Sequence, residues 1–282
     1  MLEAFRNHWP EYLMEAVGLG LFMISACAFG TLLGHPGSPL VQAVPSAFAR
    51  RVLMGLAMGL TAVCLIRSPW GQRSGAHFNP ATTLTFWRLG KVAPADAAFY
   101  MLAQMLGGLA GVLIATAVLG ALVAHPAVRY VTTVPGPAGA AAAFVAEVVI
   151  TFVLISVVLR VSNTAVLARF TPFFVGALVA VYIAVEAPVS GMSMNPARSL
   201  ASAWPAGAWE PLWIYFLAPP LGMLLAAEVH VRRRGLASVF CAKLDHDNAQ
   251  PCIFHCRYAE LAARRPESVP PPSARFAVPP RA

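Results

Sequence analysis

Ser190–Leu200 reads SGMSMNPARSL, and Ser74–Leu84 reads SGAHFNPATTL. Aligned at Asn195 and Asn79, both follow S-G-x-x-x-N-P-A-x-x-L, and they lie 116 residues apart (195 − 79). Each is a short polar turn, then Asn-Pro-Ala, then a brief apolar run. Proline suits the first helical position, and the Asn before it is a good N-cap. Each copy therefore predicts the start of a short helix with an Asn at its positive end.

The chain around these copies has 282 residues, 58% hydrophobic and 11% charged. Soluble domains carry about 25% charged residues, so this is a membrane composition. The net charge of +8 does not point to nucleic acid, because the basic residues sit between apolar runs, as orientation signals do. Five cysteines make no secreted disulfide framework: Cys27 and Cys64 are isolated in apolar segments, and the other three are near the C-terminus. Ile24-Ser25-Ala26-Cys27 faintly resembles a lipoprotein cleavage site, but the apolar run continues past Cys27 as a spanning helix should.

A span needs about 20 mostly apolar residues. Six are expected, at Tyr12–Leu33, Arg51–Ile66, Ala95–Val123, Ala140–Val161, Pro172–Ala187 and Leu212–Val231. The Asn-Pro-Ala segments, Asn79–Leu89 and Asn195–Trp204, are too short to cross and read as half-spans. The chain thus divides into an N-terminal segment 1–11, a first half 12–124, a loop 125–139, a second half 140–231 and a tail 232–282. Each half holds three spans with a half-helix after the second. Three is odd, so the second copy is inserted upside down, and paired interrupted segments in inverted halves point to a midplane site. Arg6, Arg67, Arg73, Arg88, Lys91, Arg160, Arg169 and Arg232–Arg234 fall on one side, against Arg50, Arg51 and Arg129 on the other. The richer side is expected to be cytoplasmic, with both termini on it. The fold class is an all-α membrane protein: six transmembrane helices plus two re-entrant half-helices in an inverted repeat.

Irregular backbone inside a bilayer is tolerated only where it lines water or protein. The turns Gly75-Ala76-His77-Phe78 and Gly191-Met192-Ser193-Met194 are expected to offer rows of carbonyl acceptors along a pore. Asn79 and Asn195 add amide donors at its centre, each with its NH₂ free to face the lumen.

Two complete copies of this motif, spaced as inverted repeats, resemble the major intrinsic protein (aquaporin) family over about Tyr12–Val231. The resemblance implies a right-handed bundle in the cell (inner) membrane, a homotetramer with one pore per subunit, water or small neutral solutes as permeants, and no cofactor. It places Asn79-Pro80-Ala81 and Asn195-Pro196-Ala197 at the pore centre, where two positive helix ends repel cations and break proton hopping. It puts the guanidinium of Arg198 at the narrowest point, with Met192, Ile183 and a residue of the second span. Met58 is the choice there, and Met54, one turn away on the same face, stays open. Water channels usually have His where Ile183 sits and an aromatic at Met58, so this filter is more apolar and pliable. Ser199, Ala203 and Tyr215-Phe216 resemble the water-channel branch, and the balance favours water over glycerol.

Glu15 and Glu147 lie within spans and are expected to prop the irregular turn of their own half. Gln104 is read as a similar packing group, and His77 as a hydrogen-bonded turn residue in preference to a pH gate. The tail holds Cys241, His246, Cys252, His255 and Cys256, spaced C-x4-H-x5-C-x2-H-C. Such residues bind zinc or another soft metal, though the spacing matches no standard finger. Glu260–Ala282, rich in Pro, Ala and Arg, reads as disordered. Three functions are read, in order of preference: a passive water channel, a channel for small neutral solutes such as glycerol, and a membrane-anchored metal or redox sensor with a vestigial pore. No nucleophile–base pair or nucleotide loop suggests an enzyme.

Overall fold

The computed structural model describes residues 1–266. Six helices are long and apolar enough to cross a membrane. In chain order the principal helices are α1 (Leu2–Gly34), α2 (Ala47–Arg67), α3 (Pro80–Arg88), α4 (Pro94–Leu119), α5 (Gly139–Ser162), α6 (Thr171–Val185), α7 (Pro196–Ala206) and α8 (Leu212–Arg234). Helices α3 and α7 are the two half-helices, and no strand occurs among the described residues.

The boundaries differ from expectation where local chemistry intervenes. α1 begins at Leu2, and its 33 residues run about 50 Å, so residues 2–11 are helical and continuous with the first span. α4 stops at Leu119 because Gly120 turns to φ 58, and Ala121–Ala124 forms its own turn. At the other end, Glu260–Ala262 completes the helical turn Tyr258–Ala262, which corrects the expectation of disorder from Glu260 onward. The rest of that expectation, from 267, lies outside the described residues.

Packing repeats the inversion seen in the sequence. α1 lies on α4 and α8 on α5, so the first and third spans of each half pair in the same way, while the two second spans, α2 and α6, pair across the axis. Small residues set the approach. An added Cβ at Gly59 would lie 2.5 Å from the Gly176 carbonyl oxygen, and one at Gly176 would lie 2.7 Å from that of Gly59. Without a hydrophobic drive between helices in lipid, such close backbone contact is what packing relies on. Outward positions such as Leu56, Leu60, Leu106 and Val145 are exposed and apolar, which suits hydrocarbon.

The start of α1 and the tail segment around Asp245 both bond the turn before α3, through Arg73 with Glu11 and Gln72 with Asp245, and so share one face, called here the terminal face. There Arg73 pairs with Glu11 at 2.8 Å and His8 bonds Asp96 at 2.8 Å, tying the start of α1 to the turn before α3 and to α4.

Gly59→Leu is expected to lower thermal stability in detergent by about 1–3 kcal/mol, as overpacking does. Leu60→Ala, on the neighbouring exposed position, should cost about 0.5 kcal/mol or less. Parallel melting curves decide, and equal shifts would contradict the close crossing.

Candidate functional site

The two half-helices meet end to end through their caps. Asn79 Oδ1 accepts from the Ala81 N–H at 2.9 Å, and Asn195 Oδ1 accepts from the N–H groups of Ala197 (3.0 Å) and Arg198 (3.2 Å). The amides then cross over. Asn79 Nδ2 donates to Met194 O at 2.7 Å, and Asn195 Nδ2 donates to Phe78 O at 2.7 Å. This corrects two expectations. Neither amide is wholly free, since one of its two N–H groups is spent on the opposite half. Nor are the carbonyl rows intact, because Phe78 O and Met194 O close the junction.

A buried carboxylate holds each turn. Glu15 Oε1 accepts from Ser74 Oγ (2.7 Å) and the His77 N–H (3.1 Å), and its Oε2 accepts from the Phe78 N–H (2.6 Å) and Gln104 Nε2 (2.7 Å). Glu147 Oε1 accepts from Ser190 Oγ (2.6 Å) and the Ser193 N–H (2.6 Å), and its Oε2 accepts from the Met194 N–H (2.7 Å). Tyr100 and Tyr215 complete the match, their hydroxyls donating to Ser74 O and Ser190 O. These bonds are needed because the turns carry left-handed residues: Ala76 (φ 56) and Phe78 (φ 47) in one, Met192 (φ 52) and Met194 (φ 54) in the other. Such conformations cost energy for residues with a Cβ and persist only when the surroundings impose them.

A cavity of about 320 Å³ lies within the bundle. Both Asn residues line it, as do Arg198, Met192, Ile183, Ser193 and Gly191, and both Met54 and Met58. Arg198 Nη1 has no hydrogen-bond partner among the described residues, although the atom is buried. Ser25 Oγ reaches the Met58 sulfur at 3.8 Å, which steadies that side chain. Ala76 and His77 line the lumen from the other turn. Gly75 does not: its carbonyl accepts from the Leu244 N–H at 3.1 Å. His77 is buried with both ring nitrogens engaged, Nδ1 with Thr83 Oγ1 and Nε2 with Ala242 O, each at 3.0 Å.

Leu244 also lines the cavity. This tail segment at the terminal-face mouth was not foreseen, because nothing in the sequence of residues 236–258 says where they dock. Thr83 and Ser199 were legible in principle: both stand four residues after their Asn, and Ser199 Oγ meets Ser193 Oγ at 2.6 Å much as Thr83 meets His77.

In the tail, Cys241, His246, Cys252 and Cys256 present ligand atoms that all lie within 4.8 Å of one another. His255 is excluded from this group. It is exposed, and its Nδ1 bonds Gly90 O at 2.9 Å. Hydrogen bonds from Cys241 and Cys252 draw the Cys256 thiol well below its ordinary range. Burial disfavours the charged form of His246, but hydrogen bonds to Cys252 and Cys256 outweigh it and push the imidazole up to about 9.

Helices, half-helices and this pore define a membrane channel. The family model described as "Major intrinsic protein" matches residues 3–230, and the chain belongs to that family. It is 34% identical to a protein named glycerol uptake facilitator protein-like 6 from Lactiplantibacillus plantarum, over 77% of this chain and 94% of that one. It is 32% identical to aquaporin Z of Rhodopseudomonas palustris, over 78% and 91%. The aquaglyceroporin of Plasmodium falciparum shares the fold, with a TM-score of 0.64 at 19% identity, covering 79% of this chain and 95% of that one. The sensor reading with a vestigial pore is therefore not supported: the family is one of channels.

Glu147→Leu should destabilise the protein more than Glu147→Gln. The leucine leaves the buried N–H groups of Ser193 and Met194 unpaired, at about 1–3 kcal/mol each, whereas glutamine keeps one acceptor oxygen. Thermal unfolding in detergent reads the difference, and equal losses would deny the carboxylate its role as a prop.

Proposed function

We propose that this protein is a passive channel conducting water in single file while excluding protons and ions. One observation carries the reading: a single cavity lined by Arg198 and by both Asn residues of the joined half-helices. In this reading Arg198, Met192, Ile183 and Met58 form the filter. The Nη1 of Arg198, without a partner among the described residues, is the donor that a permeating oxygen meets in place of bulk water, and its charge turns cations away. At the junction, the second N–H of each Asn amide faces the lumen and donates to the passing water. That orients the oxygen toward the amides and interrupts proton hopping. Flow follows the osmotic gradient and needs no cofactor.

A second reading, passage of small neutral solutes such as glycerol, has its own support. The filter has two methionines and an isoleucine, whose aliphatic and thioether surfaces suit the carbon side of a polyol, while Arg198 serves its hydroxyls. Both readings place the protein in the cell membrane as a homotetramer, with the arginine-rich terminal face cytoplasmic.

The test is stopped-flow light scattering on proteoliposomes carrying a Leu244→Gly/Phe254→Ala variant, which removes the tail side chain that lines the cavity and the tail ring stacked on His77. Water permeability above that of empty vesicles is expected, and none would defeat the channel reading. Glycerol uptake by the same vesicles separates the two permeants. Arg198→Ala should raise proton leak about tenfold or more, given the loss of a nearby unit charge at an effective dielectric of about 20. A pH-sensitive dye trapped in the vesicles reports it, and an unchanged leak removes Arg198 from the barrier.

A further inference from the structure

The match to the family ends at residue 230, and the segment beyond α8 docks into the pore mouth. Val239–Asp245 are seven consecutive buried residues that belong to no helix. Their backbone is partnered by the channel: Phe240 N–H donates to Asn163 Oδ1 (2.7 Å), Ala242 O accepts from His77 Nε2 (3.0 Å), and Leu244 N–H donates to Gly75 O (3.1 Å). Phe254 stacks on the His77 ring, with centroids 5.4 Å apart and planes 8° from parallel. The Gly75 carbonyl and the His77 ring are both occupied by this segment.

An irregular segment with few backbone bonds of its own needs a cross-link to stay buried. Cys241, His246, Cys252 and Cys256 supply the ligands for one. Cys241 and Cys252 sulfurs stand 3.5 Å apart. That is too far for a disulfide of about 2.05 Å, and it is close to the edge of about 3.8 Å that bonds of about 2.3 Å give a tetrahedral zinc thiolate. The ligands bracket the parts that enter the mouth: Ala242–Leu244 lie between Cys241 and His246, and Phe254 lies between Cys252 and Cys256. Three thiolates, a neutral imidazole and a divalent ion leave one negative charge. Lys243, buried and donating to Gln250 O and Pro251 O at 3.1 and 2.7 Å, brings one positive charge beside it.

We propose that Cys241, His246, Cys252 and Cys256 bind one zinc-class divalent ion, and that this ion staples the tail into the terminal-face mouth and holds the pore closed. The metal site stands on the cluster alone; the closing role rests on the channel reading above. Loss of the ion frees both loops at once, because each is bracketed by two ligands: one carries Leu244, which lines the cavity, and the other Phe254, which stacks on His77.

Metal content of the purified full chain tests the site. One zinc per chain is expected, retained in His255→Ala and falling below about one tenth in Cys252→Ser/Cys256→Ser. Replacement by Co²⁺ in the unaltered chain should give the intense visible bands of a tetrahedral thiolate site. No bound zinc and no such bands would overturn the site. In vesicles, a zinc chelator or the double serine variant should raise water permeability to the level of Leu244→Gly/Phe254→Ala. If that plug variant conducts while chelation of the zinc-loaded chain changes nothing, the closing role is wrong. Should the plug variant itself conduct no water, the channel reading fails and takes the closing role with it, while metal content still decides the site.

Discussion

A buried carboxylate gripping a strained turn is the interaction on which this molecule depends. Each half of the chain drives a segment into the middle of the bundle and out again, leaving backbone N–H groups where no lipid can satisfy them. Glu15 and Glu147 each take two of these, with a serine hydroxyl besides. Only with the turns held do the half-helix ends come close enough for Asn79 and Asn195 to reach across. Those crossed bonds fix the junction without filling it, and the lumen passes beside them.

The two halves are related by inversion but are not equivalent. Where one turn has Ser193 with Ser199, the other has His77 with Thr83. The serine pair is small and leaves the Arg198 side of the lumen open. The histidine is larger, and its second nitrogen reaches outward to Ala242 of the tail. A difference of one side chain between two repeats thus gives the terminal-face mouth a handle that the opposite mouth lacks. The lumen lining adds a second asymmetry, since Met58, Met192 and Ile183 present apolar surface beside the guanidinium of Arg198.

Much of the fold was legible in the residues. Apolar run lengths marked the six spans, and the doubled Asn-Pro-Ala marked the half-helices, because a Pro at the first turn and an Asn cap constrain the chain locally. The ends of elements were less legible. Residues 2–11 carry charges that lower their hydropathy, yet Arg73 and Asp96 pair with them and extend α1 as a helix. That Asn79 and Asn195 share one cavity was readable because the repeat doubles the signal. The choice between Met54 and Met58 was not, since both share one helix face and both line the lumen.

Sequence by itself determined that this chain crosses a membrane six times, that its halves are inverted copies, and that each half starts a short Asn-capped helix. These come from composition, periodicity and caps, which act over a few residues. Tertiary structure alone decided where the amide protons go, which carbonyls stay in the lumen, and which of five tail ligand candidates gather. It also decided that the tail lies in the pore mouth. Most of these outcomes join residues far apart in the chain, such as Ser74 with Glu15 and His77 with Ala242, and no local rule links groups that only packing brings together.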